Sequence, residues 1–416
     1  MKFQKPKGTK DILPKDIHKW HFVEKTIREA TKLFNFSEIR TPTFEYTELF
    51  KRGVGSETDI VGKEMYTFVD KGGESITLKP EGTAPVMRAY LENSLSAESP
   101  LHKLYYITSM FRYEKPQAGR YREHSQFGGE IIGSDSIDTD VELILLAKEV
   151  YNRCGINNFK LKINSIGKPS ERKTYVNALT DYLKKHFNRL SEESKKRLGT
   201  NPLRILDSKS PDDLIITKEA PKIIEHLTKD SRNRFDLVLY ELTRLGVNYE
   251  IDFRLVRGLD YYTDTTFEFI SSDLGAQDAL GGGGRYDGLI ELLGGKPTPG
   301  VGFGSGIERL IIVAEKNGFT FGEPSSPKVY FIALNSSAKE IAFKIMMELR
   351  KKNISCETDL LVRSMKAQMR EANKIGSDYV FIIGDDELKN QKGILKKMSD
   401  GSQQNVEFDK LREYLN

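Results

Sequence analysis

The chain of 416 residues is short of several features that would mark a protein class. Only two cysteines occur, Cys154 and Cys356, too far apart for a metal or redox spacing and consistent with a reducing compartment. Six scattered histidines exclude a histidine-rich metal centre, and no resident metal site is expected. No apolar run approaches the ~20 residues of a membrane span; the longest are of the VYFIAL kind. MKFQKPKGTKDILP at the N-terminus has no apolar stretch of the signal-peptide type, so a cytoplasmic location is expected and no membrane partner. GxxxxGK[ST] is absent, and no GxGxxG stands in a dinucleotide-binding context, so neither common phosphate loop is present.

What remains is an ordinary globular composition, 38% hydrophobic and 30% charged, in a chain long enough for two or three domains. Net charge is only +4 but unevenly spread. Residues 168–246 carry 17 Lys/Arg against 12 Asp/Glu, and 328–416 carry 16 against 13, leaving −4 on the remainder. Two basic regions on a mildly acidic body suit a polyanionic partner. Solvated helix faces explain the same counts equally well.

Patterning divides the chain further. Helical spacing at 15–34 (Ile17, Trp20, Val23, Ile27, Ala30) gives way to short segments of period two up to about 165, interrupted by helix-like stretches at 82–93 and 137–153. Polar helices with lysine pairs fill 168–247. Strand alternation resumes at YEIDFRLV, where Tyr249, Ile251, Phe253 and Leu255 alternate with polar neighbours. One β-rich domain interrupted by a helical insertion is therefore expected. After the linker GEPSSP, KVYFIAL and DYVFIIG read as strands, and AKEIAFKIMMELRKKN, SMKAQMREANKIG and FDKLREYL as helices. That alternation predicts a small α/β domain with a largely parallel sheet.

Four segments could carry chemistry. In KLYYITSMFRYE, Tyr106, Thr108, Met110 and Arg112 share one face of a strand. On the return run, His124, Gln126, Gly128 and Glu130 share one parity while Phe127 and Ile131 take the other. Such convergent polar groups on an apolar strand need partners, supplied either by a polar ligand or by a cross-strand ion-pair network. ITLKPEGT places Glu81 and Thr83 on one face, a pair able to hold an ammonium group, although Pro-Glu-Gly is also a plain turn. The glycines of GGGGRYDGLIELLGG allow a ligand or another strand to approach the backbone closely. GVGFGSGIERL runs a strand into a helix with Arg309 in its first turns, against the helix dipole, as a polyphosphate laid along the helix would require. A surface arginine fits that segment too.

Taken together, FRYE with RYR and GGE resembles the second signature of class II aminoacyl-tRNA synthetases, GVGFGSGIERL the third, and EIRTPTFEYTELFKR with Pro42 the first, which in that class forms a dimer interface. LVRGLDYY (255–262) and GGGGRYDGL resemble the two peptides peculiar to histidyl-tRNA synthetases, and KPKGTKDILP, KEMYTF, TLKPEGT and NSIG are similar to that family as well. The resemblance spans essentially the whole chain. It implies an α+β catalytic domain with an antiparallel sheet over 1–324, a helical insertion at about 168–247, and an α/β anticodon-binding domain over 328–416.

It also implies a reaction. Histidine and ATP would give histidyl-adenylate and pyrophosphate, and the histidyl group would pass to the 3′ end of tRNA(His), Mg2+ arriving with ATP. Arg257, Gln126 and Arg112 would be catalytic, Arg257 touching both carboxylate and α-phosphate. Histidine would be held by Glu81, Gly82, Thr83, Tyr106, Gln126, Glu130, Arg257, Tyr261, Tyr262 and Tyr286, with Glu130 and the Tyr262 hydroxyl bracketing the imidazole. ATP would meet Arg112, Glu114, His124 and Arg309, and Gln117 would touch the tRNA acceptor end. Two departures stand out: Lys79 where arginine is commoner, and His124 where an aromatic, often phenylalanine, stacks on adenine. A histidine there can still stack, with a contribution expected either to weaken or to become pH-dependent. A homodimer is expected from the family. The rival reading is an inactive paralogue that regulates ATP phosphoribosyltransferase; such proteins typically lack the anticodon domain and degrade LVRGLDYY, and both are intact here.

Overall fold

The computed structural model describes residues 3–55, 58–116, 119–275 and 278–415. The chain divides into two compact units, 1–322 and 323–416.

In the first unit, eight strands form one sheet in the order Ser37–Glu38, His102–Phe111, Glu123–Ile132, Gly300–Gly306, Ala279–Arg285, Thr263–Ile270, Lys160–Ser165, Glu250–Ile251. The six inner strands are antiparallel throughout, and only the two-residue edge strands pair parallel. Strand alternation sorts the side chains. Tyr105, Phe127, Ile131, Val301, Phe303, Leu161, Ile163, Phe267 and Phe269 point into a core shared with Trp20, Leu143, Val150 and Leu310 of the helices Ile17–Leu33, Ile137–Arg153 and Ile307–Lys316. The opposite parity faces the site. The register pairs Tyr106 with Gly128, Thr108 with Gln126 and Met110 with His124, so the two polar sets read from the sequence share one face.

The helical stretch is woven into this unit. Its last helix, Lys229–Arg244, adds Phe235, Val238 and Leu242 to the same core. Beneath the sheet, the fully buried Arg285 pairs with Asp140 at 3.2 Å and donates to the Ser134 carbonyl at 2.8 Å. A separate three-stranded sheet joins Phe44–Tyr46, Ser75–Leu78 and Tyr66–Val69.

One strand expectation fails. YEIDFRLV keeps only Glu250–Ile251 as strand, because the Asp252 carboxylate accepts from Arg254 N at 3.1 Å and its carbonyl from Leu255 N at 2.9 Å, turning the chain. Asn164 then donates to the Leu255 carbonyl at 3.0 Å and fixes the start of the loop that carries Arg257.

The second unit is a five-stranded sheet in the order Cys356–Thr358, Val329–Ala333, Tyr379–Ile383, Lys392–Lys397, Gln403–Glu407, with helices Ser336–Lys351 and Met365–Lys374. Only its first three strands are parallel. The last two form an antiparallel hairpin that the patterning missed, so the sheet is mixed rather than largely parallel. FDKLREYL forms a 3-10 helix, Phe408–Tyr414.

Candidate active site

A cavity of about 270 Å³ opens on the polar face of the large sheet, lined by Arg112, Glu114, Arg120, His124, Gln126, Arg257, Glu268 and Arg309 over a floor of glycines. Four arginines in so small a volume make a site for a polyanion. Each is aimed by its element. Arg112, one residue beyond its strand, donates from Nε to the Pro80 carbonyl at 2.7 Å. Arg309, on the helix Ile307–Lys316, is held by the carbonyls of Gly119 at 3.0 Å and Ala279 at 2.5 Å. Arg120 pairs with the buried Glu114.

Arg257 is held from the neighbouring strand. Its Nη1 meets Glu268 Oε1 at 2.9 Å, its guanidinium carbon stands 5.8 Å from the Tyr262 ring centroid, and its Nε is buried with no hydrogen-bond partner among the described residues. Glycine at 282 makes this possible, since a Cβ there would stand 2.7 Å from Arg257 Nη1. Glu268 was not anticipated. Its signal lay in the alternation of TFEFI: Phe267 and Phe269 face the core, so the carboxylate between them must face the site, opposite Gly282.

Behind Gln126 lies a buried hydrogen-bonded group rather than open volume. Glu130, fully buried, accepts from Thr83 Oγ1 at 2.8 Å and from the Tyr286 hydroxyl at 2.5 Å. Side chains other than glycine at 302 would overlap its carboxylate. Glu81 caps the helix Thr83–Glu92, accepting from Thr83 N and Ala84 N at 2.8 Å each, and takes the Tyr261 hydroxyl at 3.4 Å. Gln126 Nε2 donates to the Tyr106 hydroxyl at 3.0 Å. Tyr261 packs on Tyr262 and edge-on to Tyr286, with ring centroids 4.7 and 5.8 Å apart. Gly82 lies beneath the Tyr106 ring, where a side chain would collide. Two adjoining groups therefore gather all the expected residues except Gln117, which lies outside the described residues.

Electrostatics separate the two groups. Burial, with Glu81 adding to it, pushes the Glu130 carboxyl up to about 8. Burial raises Glu81 too, against the helix N–H groups that lower it. At the arginine cluster the opposite holds for His124: burial first, then Arg112 and Arg309, depress it to about 3. The imidazole is neutral throughout the physiological range, so the expected pH dependence at this position does not arise from its own titration.

Lys79 is buried and donates to the Thr41 carbonyl at 3.2 Å, a backbone-bracing contact away from the cavity.

An antiparallel sheet bearing an arginine after its second strand, another in the helix following a glycine strand, and a separate α/β unit define a class II aminoacyl-tRNA synthetase with an anticodon-binding domain. Residues 8–310 match the model of the histidyl-tRNA synthetase family and 328–416 that of the anticodon binding domain. The chain belongs to the histidyl-tRNA synthetase family. It is 48% identical over 408 residues to the histidine–tRNA ligase of Acetivibrio thermocellus, covering 98% of each chain. To that of Chloroherpeton thalassium it is 52% identical over 406 residues, covering 97% of this chain and 95% of the other. The crystal structure of apo Staphylococcus aureus histidyl-tRNA synthetase superposes with a TM-score of 0.83 at 37% identity, over 99% of both chains. No helix among the described residues is long and apolar enough to cross a membrane.

Proposed function

We infer that the chain is a cytoplasmic histidine–tRNA ligase that forms histidyl-adenylate and transfers the histidyl group to tRNA(His). The observation that carries this reading is Arg257, pinned by Glu268 at the seam between the arginine-lined cavity and the buried carboxylate group. The cavity takes ATP, with Arg112 and Arg309 on the phosphates and His124 against adenine. The carboxylate group takes histidine: Glu81, Thr83 and Gln126 hold the α-ammonium, and Glu130 with the Tyr262 hydroxyl read the two ring nitrogens. Neither ring contact is available to an apolar amino acid, which would forgo both hydrogen bonds.

In the first step a histidine carboxylate oxygen bonds to the α-phosphorus as the bond to the bridging oxygen breaks, and pyrophosphate leaves with that electron pair. Negative charge gathers around the α-phosphate, within reach of a guanidinium already fixed in place, so little reorganisation accompanies it. Mg2+ enters as part of the nucleotide substrate. The terminal ribose hydroxyl of tRNA then displaces AMP; Gln117 is proposed at the acceptor end, and 328–416 at the anticodon.

A homodimer is proposed through the three-stranded sheet. Phe44, Tyr46 and Phe68, exposed by 52%, 62% and 47%, share one face of it with Ile76 and Leu78, an apolar patch of the kind that marks a protein interface. Histidine-dependent ATP–pyrophosphate exchange, followed by charging of tRNA(His), tests the whole reading. Purified protein that exchanges nothing when histidine is added would refute it.

A further inference from the structure

The helical insertion has no part in the chemistry described above, and its basic surface invites the reading that it serves only RNA. Its interior says otherwise. Tyr175, Leu179, Leu206 and Ile223 of the insertion lie in the same apolar cluster as the pocket rings of Tyr106, Tyr261, Tyr262 and Tyr286. The insertion and the amino-acid pocket have one core between them.

Polar contacts run along the same seam. Arg172, in the first turn of Pro169–Lys185, donates from Nη1 to the Tyr262 carbonyl at 2.9 Å. The Arg204 guanidinium packs against the backbone at 258, where a Cβ would stand 3.3 Å from Nη1, and its Nη2 reaches Asp59 at 3.4 Å. The loop 257–262 is thus gripped from both sides: Glu268 holds the arginine from the sheet, and the insertion holds the backbone from behind. Tyr262 O is the last carbonyl before the strand Thr263–Ile270 begins, so its direction sets where the rings of Tyr261 and Tyr262 point.

We propose that Arg172 is a positioning residue for histidine activation, acting through the Tyr262 carbonyl to hold the tyrosine loop in the shape that receives the amino acid. The proposal rests on reading 257–262 as part of the amino-acid site. It makes the insertion necessary for a step in which no RNA takes part. Hydrogen bonds to a charged donor are among the stronger ones in proteins, and the loss of this one should cost at least about tenfold in histidine binding.

The test is tRNA-free, histidine-dependent ATP–pyrophosphate exchange by the full chain carrying Arg172→Ala or Arg172→Lys, with the exposed Lys196→Ala as the control within the insertion. Arg172→Ala should raise the KM for histidine by about tenfold or more, with the KM for ATP within about twofold and Tm little changed. Arg172→Lys, which keeps the charge and one directed N–H, should fall between Ala and wild type, and carries the comparison if the alanine variant does not fold. An unchanged histidine KM would overturn the proposal. So would a rise in both KM values together with a lower Tm, which would mark a merely structural arginine. Failure of the wild-type protein to exchange would instead refute the amino-acid site reading itself.

Discussion

Glu130 is buried with both carboxylate oxygens committed to hydroxyls, Thr83 at 2.8 Å and Tyr286 at 2.5 Å, and its ionisable neighbour is a second carboxylate, Glu81. Replacing it with glutamine gives a worked test of the proposed histidine site. The folded protein keeps the Glu130 proton up to about pH 8, whereas the unfolded chain releases it near the ordinary value of 4.5. Between those values the native state binds the extra proton, so each pH unit upward costs the fold about 1.4 kcal/mol. The accumulated cost at pH 7 is of order 3 kcal/mol, which glutamine, having no proton to release, does not incur. Glu130→Gln should therefore gain on wild type by about that amount between about pH 5 and neutral pH, and be inactive with histidine. Urea unfolding of both proteins at several pH values isolates the effect, because other titrating groups largely cancel. The stability gap should widen from about pH 5 and level off above about 8. A gap independent of pH, or one that narrows as pH rises, would refute the reasoning.

Two more outcomes follow from the arginine cluster. Glu268→Gln should slow exchange about tenfold, yet add nothing to Arg257→Ala in the double variant, because it works through that guanidinium; additive losses in a double-mutant cycle would show an independent role. With His124 depressed to about 3, the KM for ATP should show no step from this residue between pH 6 and 8. His124→Phe should therefore give a profile of the same shape, and a step that vanishes only in the variant would contradict the assignment.

Much of this site was legible because strands write their faces into alternation. The parity of Tyr106, Gln126 and Glu130 survives intact in the paired strands, since the register there has no bulge. Glu268 escaped notice because a single carboxylate in an apolar strand reads the same whether it meets solvent or an arginine arriving from another segment. The partners of Glu130 were equally silent: Thr83 and Tyr286 come from 47 and 156 residues away, and no local spacing announces such contacts. YEIDFRLV misled for a local reason, as its apolar alternation was outweighed by an aspartate turn at Asp252. In the second unit, the hairpin Lys392–Lys397 with Gln403–Glu407 is so polar that period two barely shows, although Asp400-Gly401 marked its turn. The shared core of insertion and pocket had no sequence signature, because clusters assembled from distant helices leave only helical spacing behind.

The most direct measurement is histidine-dependent ATP–pyrophosphate exchange by Arg257→Ala in protein whose Tm matches wild type. Loss of a guanidinium fixed at the seam between nucleotide and amino acid should lower the exchange rate by about a hundredfold or more. Activity within about tenfold of wild type would mean that the bond to phosphorus forms without this arginine, and that the assignment of the seam is wrong.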